Sequence, residues 1–314
     1  MIQELADKIW GNPGFHHAAD RIELAWLTKE IGGIDDSHAD IADATRLVRS
    51  AAVLACSEVA DHRRAAFRVA TCAYDLFGTG QVPLDQALRV VLTRLGNFPS
   101  IGTRADVSSA RGSLPLMLAA EEIASADAHE VTINGQTVLL TDFQQKLWLN
   151  LMDSRRIALA APTSAGKSFV LQGYLAALFD SKKPKTVVYI VPTRALIAQV
   201  ADDLKAQFQG TDHEIPDIVT VPVDAETPLS ERAIYVMTQE RVQLALGAHS
   251  DFSASVIIID EAHSIADGSR GVLLQWVIDD LLIRNPASQI LFASPAIRNL
   301  DVFGRLFGLG PVDK

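Results

Sequence analysis

At 314 residues, with 48% apolar and 21% charged side chains, the chain has the apolar mass for a sizeable core and is too hydrophobic for a disordered tail. Its formal net charge of −10 argues against a dedicated nucleic-acid coat protein, although a local basic track depends only on where charges cluster. No apolar run reaches the roughly eighteen residues of a membrane span, and Met1-Ile-Gln-Glu-Leu-Ala-Asp-Lys8 lacks a signal-peptide pattern, so a cytoplasmic protein without membrane contact is expected.

The first part of the chain reads as helices. Asp36-Ser37-His-Ala-Asp40 has the spacing of a capping box, and Ile41, Ala44, Leu47, Val48, Ala51 and Leu54 then recur at helical intervals. A second helix is expected from Arg63 to Phe77, with Phe67, Ala70, Tyr74 and Phe77 on one side and Gly78 and Gly80 ending it. A third starts near Pro83 and stops at Gly96. Gly102 to Gly112 is polar and small and reads as a loop, and Leu114 to Ala124 returns to helix. Arg63, Arg64 and Arg68 form a basic cluster that reads as a solvated helix face. Cys56 and Cys72, the only cysteines, sit in helical apolar stretches and read as buried free thiols. The adjacent His16 and His17 point to different helix faces, which does not suit a metal pair.

The pattern changes at Glu130-Val-Thr-Ile-Asn-Gly-Gln-Thr-Val-Leu-Leu140, where alternating residues flank Asn134-Gly135, a two-residue hairpin signal. The domain boundary is placed just before it: an all-α N-terminal domain over residues 1–130, then an α/β domain over 131–314. In the second part, apolar strands at 157–160, 186–191, 218–221, 233–237, 256–259 and 289–293 alternate with helices. Continuous apolar strands of this kind imply a parallel sheet with flanking helices on both faces. Its ligands are expected at the carboxyl ends of the strands.

Two segments at such ends carry chemistry. Ala161-Pro-Thr-Ser-Ala-Gly-Lys-Ser168 follows a strand and opens a helix, the context of a phosphate-binding loop with Ala161 in place of the usual first glycine. Small residues let backbone N–H groups curl round phosphates, Lys167 reaches the β/γ-phosphates, and the hydroxyl of Ser168 holds Mg²⁺. Asp260-Glu-Ala-His263 follows the strand at 256–259 and is expected on a neighbouring strand end. There Asp260 serves the Mg²⁺ shell and Glu261 polarises the attacking water. Each segment alone is also compatible with an ordinary polar turn; together they indicate an ATPase.

Asp260-Glu-Ala-His263 resembles the signature box of superfamily-2 helicases, and the chain is similar to the first RecA-like lobe of the superkiller-like branch. Pro162-Thr-Ser-Ala-Gly-Lys-Ser168 resembles that branch's nucleotide loop, Val191-Pro-Thr-Arg-Ala-Leu-Ile-Ala-Gln199 its motif Ia, and Val236-Met-Thr-Gln-Glu-Arg-Val242 its motif Ib. Leu140-Thr-Asp-Phe-Gln144 sits where the family reads adenine. The resemblance covers residues 140–300 with five motifs in family order; residues 1–130 carry none. It implies ATP and Mg²⁺ as cofactors and a RecA-like sheet. Gln144 would contact adenine; Thr163, Ser164, Ala165, Gly166, Lys167 and Ser168 would bind the phosphates. Pro192, Thr193 and Arg194, with Thr238, Gln239 and Glu240, would lie along one strand of DNA or RNA. His263, Ser294 and Ala296 would couple the two sites. The chain departs from the family at Ser294-Pro-Ala296, where the branch has Ser-Ala-Thr: Pro295 removes a backbone donor and Ala296 a hydroxyl.

The expected function is that of an ATP-dependent helicase or translocase, seen as a helical front and a first motor lobe. A similar loop after an all-helical front in bacterial defence helicases of the Hachiman kind adds an antiviral role to the expectation. The alternative is a nucleotide-dependent switch that docks a partner such as a nuclease through its helical domain; a small-molecule kinase would not explain the Asp-Glu-Ala-His box. The family's transition-state arginine comes from a second RecA-like lobe, which is expected beyond residue 314 or on another chain. An arginine finger supplies about 10³–10⁵ in rate. Residues 1–314 alone are therefore expected to bind nucleotide, hydrolyse it very slowly and respond little to single-stranded DNA or RNA in a steady-state ATPase assay. Fast, strongly stimulated turnover by a monomer would refute this.

Overall fold

The computed structural model describes residues 1–33, 39–78, 81–153, 156–161, 165–180, 183, 185–209, 215–295, 297 and 299–313. Asp36, Ser37, His38, Gly80, Pro162, Thr163, Ser164 and Ala296, named above, lie outside the described residues. The chain divides into two compact units, Met1–Thr132 with Thr137–Gln145, and Ile133–Gln136 with Lys146–Lys314. The division passes through the expected hairpin, which forms β1 (Glu130–Ile133) and β2 (Gln136–Leu139). Asn134 and Gly135 both adopt positive φ (51° and 73°), the requirement of a tight primed turn.

The first unit is built from α1 (Ile2–Trp10), α2 (Pro13–Glu30), α3 (Ile41–Leu54), α4 (Ala60–Phe77), α5 (Val82–Arg94), α6 (Phe98–Gly102), α7 (Ala105–Ser109) and α8 (Leu116–His129). Then α9 (Asp142–Met152) follows the hairpin. Helix α4 lies against α2, α3 and α5. The contact surfaces are largely alanine: Ala44, Ala51, Ala66, Ala70 and Ala73 are fully buried, which lets the helix axes approach, while Leu47, Leu54, Val69, Leu88 and Val91 fill the spaces between.

Several expectations for this unit need correction. Helix α3 is capped by Asp40, whose side chain accepts from the Asp43 N–H at 2.7 Å, so the capping residue is Asp40 itself. Helix α4 starts at Ala60 and buries its small residues; Phe67, expected on one side with Ala70, is exposed whereas Ala70 is buried. The expected loop from Gly102 to Gly112 instead forms α7 and a 3₁₀ turn (Ala110–Ser113). Tertiary contacts sustain these short helices. Val107 is fully buried, and Arg89 Nη1 donates to the carbonyls of Val107 and Ser108, both at 2.8 Å. The arginines at 63, 64 and 68 are each paired, with Asp142, Asp61 and Glu23. Cys72 is buried, and burial, with Glu23 and Asp75 nearby, pushes its thiol up to about 11; Cys56 is only half-buried.

Among the described residues the second unit contains six parallel strands: β3 (Ile157–Ala160), β4 (Lys185–Ile190), β5 (Asp217–Val219), β6 (Arg232–Met237), β7 (Val256–Ile259) and β8 (Gln289–Ser294). Their spatial order is β3-β8-β7-β4-β6-β5. All of β7 and β8 is buried, as the unbroken runs Val256–Ile259 and Gln289–Ser294 demand. Helices α10 (Lys167–Phe179), α11 (Arg194–Phe208), α12 (Gln239–Ala248), α13 (Gly268–Arg284) and α14 (Asp301–Leu306) complete the unit. The sheet is the parallel α/β arrangement with flanking helices that the apolar strands implied, and it agrees with the RecA-like lobe that the resemblance implied. One adjacency differs from expectation. The strands that deliver Lys167 and Asp260 are not neighbours, because β8, the last of the described strands, inserts between them.

In the helical unit the strongest electrostatic commitment is Arg89–Glu122, both about 6% exposed, joined by two parallel bonds of 2.6 and 2.7 Å. Removing Arg89 leaves the buried Glu122 carboxylate only the more distant, exposed Arg111, whose Nε stands 3.5 Å from Oε1, so Arg89→Ala is expected to destabilise this unit by about 3–5 kcal/mol in urea unfolding. A loss below about 1 kcal/mol would show that water or another group takes over the Glu122 carboxylate.

Candidate nucleotide site and nucleic-acid groove

Because the strands are parallel, every strand ends on the same edge, and the order of strands becomes an order of motifs. Along that edge come the loop after β3, Ser294 at the end of β8, Asp260-Glu261 after β7, Pro192-Thr-Arg194 after β4, and Thr238-Gln-Glu240 after β6.

At the first end, Gly166 adopts φ 76°, a conformation that turns the chain sharply into α10 and that only glycine takes without strain. Ala165 is half-buried and Ser168 exposed at the helix start. Lys167 is 8% exposed, and its ammonium donates to the carbonyl of Ala161 at 2.5 Å. An ammonium has three donors, and among the described residues this carbonyl engages one of them, which leaves two for an anion at the helix N-terminus. The backbone N–H of Ala161 in turn donates to the carbonyl of Ser294 at 3.1 Å, which fixes the base of the loop to β8.

Asp260 extends the ladder, its N–H donating to the carbonyl of Ile190 at 2.9 Å. Burial pushes its carboxyl above the ordinary value; the Glu261 N–H, which Asp260 Oδ1 accepts at 3.0 Å, and the charge of Lys167 oppose that shift. A half-desolvated carboxylate held this way suits a divalent cation. Glu261 follows in the left-handed region (φ 53°, ψ 45°), a conformation that costs a non-glycine residue about 1–3 kcal/mol. Its Oε2 is buried without a hydrogen-bond partner among the described residues. His263 Nδ1 stands 3.2 Å from that oxygen without hydrogen-bond geometry, and meets Ser294 Oγ at 3.3 Å. One Glu261 oxygen is thus left to accept from a water. These residues fit Mg²⁺-ATP: a cation for the phosphates, a carboxylate for the metal, and an orphaned carboxylate oxygen for the nucleophile.

At the other end is a groove of about 710 Å³ lined by Pro192, Thr193, Arg194, Thr238 and Glu240, together with Pro222, Arg241, Leu244 and Arg270. Two helices start there. Thr193 caps α11, its hydroxyl accepting from Leu196 N–H at 3.4 Å, and Thr238 precedes α12. Arg194 is exposed and pairs with no other described residue. The groove does not contain Gln239, which is 3% exposed and donates to the carbonyl of Arg270 at 2.8 Å. Partial burial would raise the Glu240 carboxyl, but the Thr238 hydroxyl and Arg270 hold it below its ordinary value.

Gln144 lies in the first unit and closes a capping box on α9: its Oε1 accepts from Thr141 N–H at 3.0 Å, and Thr141 Oγ1 accepts from Gln144 N–H at 3.3 Å. Its amide nitrogen keeps its donors. Pro222, Leu244 and Arg270 were missed in the sequence. Arg270 stands in none of the motifs read from the sequence; α13 begins at Gly268 and carries it in its first turn.

A parallel sheet that gathers a loop lysine, an acidic turn and two helix starts on one edge defines a RecA-like nucleotide-handling lobe. Comparison with known sequences agrees: the family described as DEAD/DEAH box helicase matches residues 141–302, just over half of the chain. The chain belongs to the DEAD/DEAH box helicase family. Among its relatives, putative helicase 7 of Sulfolobus islandicus filamentous virus (isolate Iceland/Hveragerdi) is 34% identical over 149 residues, covering 45% of this chain and 24% of that protein. Superkiller complex protein 2 of Mus musculus is 30% identical over 169 residues, covering 52% and 13% respectively. Hachiman protein HamB of Bacillus cereus is 22% identical over 167 residues, covering 50% and 15%. These relatives place the chain on the superkiller-like branch of superfamily 2. The aligned stretch is a quarter or less of each relative's own length.

Lys167 is the one cation that the loop after β3 presents. Lys167→Ala is expected to weaken a fluorescent ATP analogue by at least about tenfold while the thermal melt stays close to that of the parent. Unchanged affinity in a folded variant would remove this loop from the site.

Proposed function

We propose that this chain carries the first motor lobe of an ATP-driven helicase or translocase. In this reading Lys167 and the N–H groups at the start of α10 hold the phosphates of ATP. Thr163, Ser164, Ala165 and Gly166 supply the surrounding loop, Ser168 and Asp260 the Mg²⁺ ligands, and Glu261 aligns the attacking water. The bound Mg²⁺ neutralises charge on the phosphates. Gln144, through its free amide, contributes to adenine recognition. Pro192, Thr193, Arg194, Thr238 and Glu240 receive one strand of DNA or RNA in the groove, with Arg241 alongside. Gln239 acts from beneath it. His263, in contact with both Glu261 and Ser294, and Ala296 further along, would relay the state of the nucleotide.

One observation carries this reading: nucleotide residues and groove residues occupy opposite ends of a single strand edge, with the acidic turn between them. Arg194 and Arg241 belong to the groove end. The arginine that stabilises phosphoryl transfer is therefore assigned to a second RecA-like lobe, on this chain or another. The Hachiman relative supports a role in antiviral defence; docking of an effector such as a nuclease through the helical unit belongs to the alternative reading. The alternative, a nucleotide-dependent switch without strand-stimulated turnover, predicts partner binding that follows nucleotide state alone.

The test separates binding from chemistry. Glu261→Gln keeps the shape of the turn and removes its charge, so the intact enzyme should bind ATP as before and lose hydrolysis by about 10²–10⁴. Turnover at the parent rate would show that Glu261 does not orient the water.

A further inference from the structure

Arg270 has no place in the nucleotide chemistry, yet it makes three connections that meet at the groove. Its Nη2 donates to the carbonyl of Pro192 at 2.9 Å, at the entry to α11. Its Nε donates to Glu240 Oε1 at 3.1 Å, in the first turn of α12. Its own carbonyl accepts from Gln239 Nε2 at 2.8 Å. The residue is carried by the first turn of α13, directly after the 3₁₀ turn Ala262–Ala266 that follows the acidic pair. Its neighbour Gly271 explains how the helix comes so close: a Cβ there would stand 2.1 Å from the carbonyl oxygen of Ile265. Helix α13 therefore starts hard against the turn that holds Glu261 and His263, with Arg270 reaching into the groove.

We infer that Arg270 is a positioning residue that sets the spacing between the starts of α11 and α12, and so the fit of the groove to a phosphodiester backbone. The inference rests on the reading of the groove as the nucleic-acid site. The chemistry favours positioning over phosphate contact. The Nε and Nη2 edge of the guanidinium is already engaged by a carboxylate and a carbonyl, and the pairing cancels the charge that Glu240 would otherwise turn toward an incoming phosphate. Arg194, without a partner among the described residues, is the group left to meet the backbone directly. The same bonds give a physical route from the acidic turn to the groove, because any shift of α13 pulls on both helix starts at once.

The experiment uses fluorescence anisotropy of a labelled single-stranded oligonucleotide, titrated with the full protein at several salt concentrations. Three proteins are compared: the parent, Arg194→Ala, and the double variant Arg270→Ala/Glu240→Gln, which removes both charges of the pair and leaves the net charge of the groove unchanged. The double variant should bind about tenfold more weakly or worse, keep the parent's dependence of log K on log salt, and melt close to the parent. Arg194→Ala should lose affinity and reduce that slope by about 0.7, the value for one phosphate contact on a single strand. Parent-like affinity in the double variant overturns the positioning role, and so does a slope reduced by about 0.7, which would mark Arg270 as a direct phosphate ligand. If instead the parent binds without salt dependence, or Arg194→Ala binds like the parent, the groove reading itself fails and this inference falls with it.

Discussion

Six strands that run the same way leave all their carboxyl ends on one edge, and the arrangement of this lobe depends on that constraint. Parallel strands cannot be joined by tight turns, so each connection crosses a face of the sheet, usually as a helix, and the chain meets the ligand-bearing edge once per strand. Six visits to one edge bring together segments that are far apart in sequence. The strand order then decides which segments share a neighbourhood. Inserting β8 between β3 and β7 puts Ser294 between the lysine loop and the acidic turn, where its carbonyl accepts from Ala161 and its hydroxyl meets His263.

The edge is also where the lobe tolerates features that a stability optimum would remove. Lys167 is buried with one carbonyl as its hydrogen-bond partner among the described residues, Asp260 is held above its ordinary pKa by burial, and Glu261 occupies a backbone region that disfavours any side chain. Each feature is unfavourable in isolation, and each becomes favourable in the presence of a phosphate, a divalent cation or a polarised water. The fully buried strands β7 and β8 are what hold the turn in place.

The helical unit follows a different logic. Many of its arginines are committed to intramolecular partners: Arg89 to Glu122, Arg94 to Glu121, Arg64 to Asp61, Arg68 to Glu23, and Arg63 to Asp142, whose other oxygen lies 2.8 Å from His129 Nε2. A basic cluster visible in sequence is therefore neutral as a surface. Charge runs report partners only after their intramolecular pairings are subtracted, because an ion pair at short range cancels the field a distant phosphate would feel.

Local signals in the sequence were enough for elements whose cause is local. The Asn134-Gly135 turn follows from the φ values those residues tolerate, and the parallel sheet from apolar runs that no half-exposed strand could carry. The loop around Lys167 and the acidic pair were readable for the same reason, since each is a short segment with its own strand in front. The sequence did not reveal α7, which exists because Arg89 and a buried valine hold it, nor the burial of Gln239, nor the intervening β8. It also concealed Arg270, whose role depends on Pro192 and Glu240, contributed by two other strand ends, and on a glycine contact with Ile265. Residue types and their spacing along the chain determined which chemistry this protein carries. Only the tertiary structure decided which groups stand within hydrogen-bond reach, because that distance is set by strand order and helix packing, and neither is a property of any local stretch.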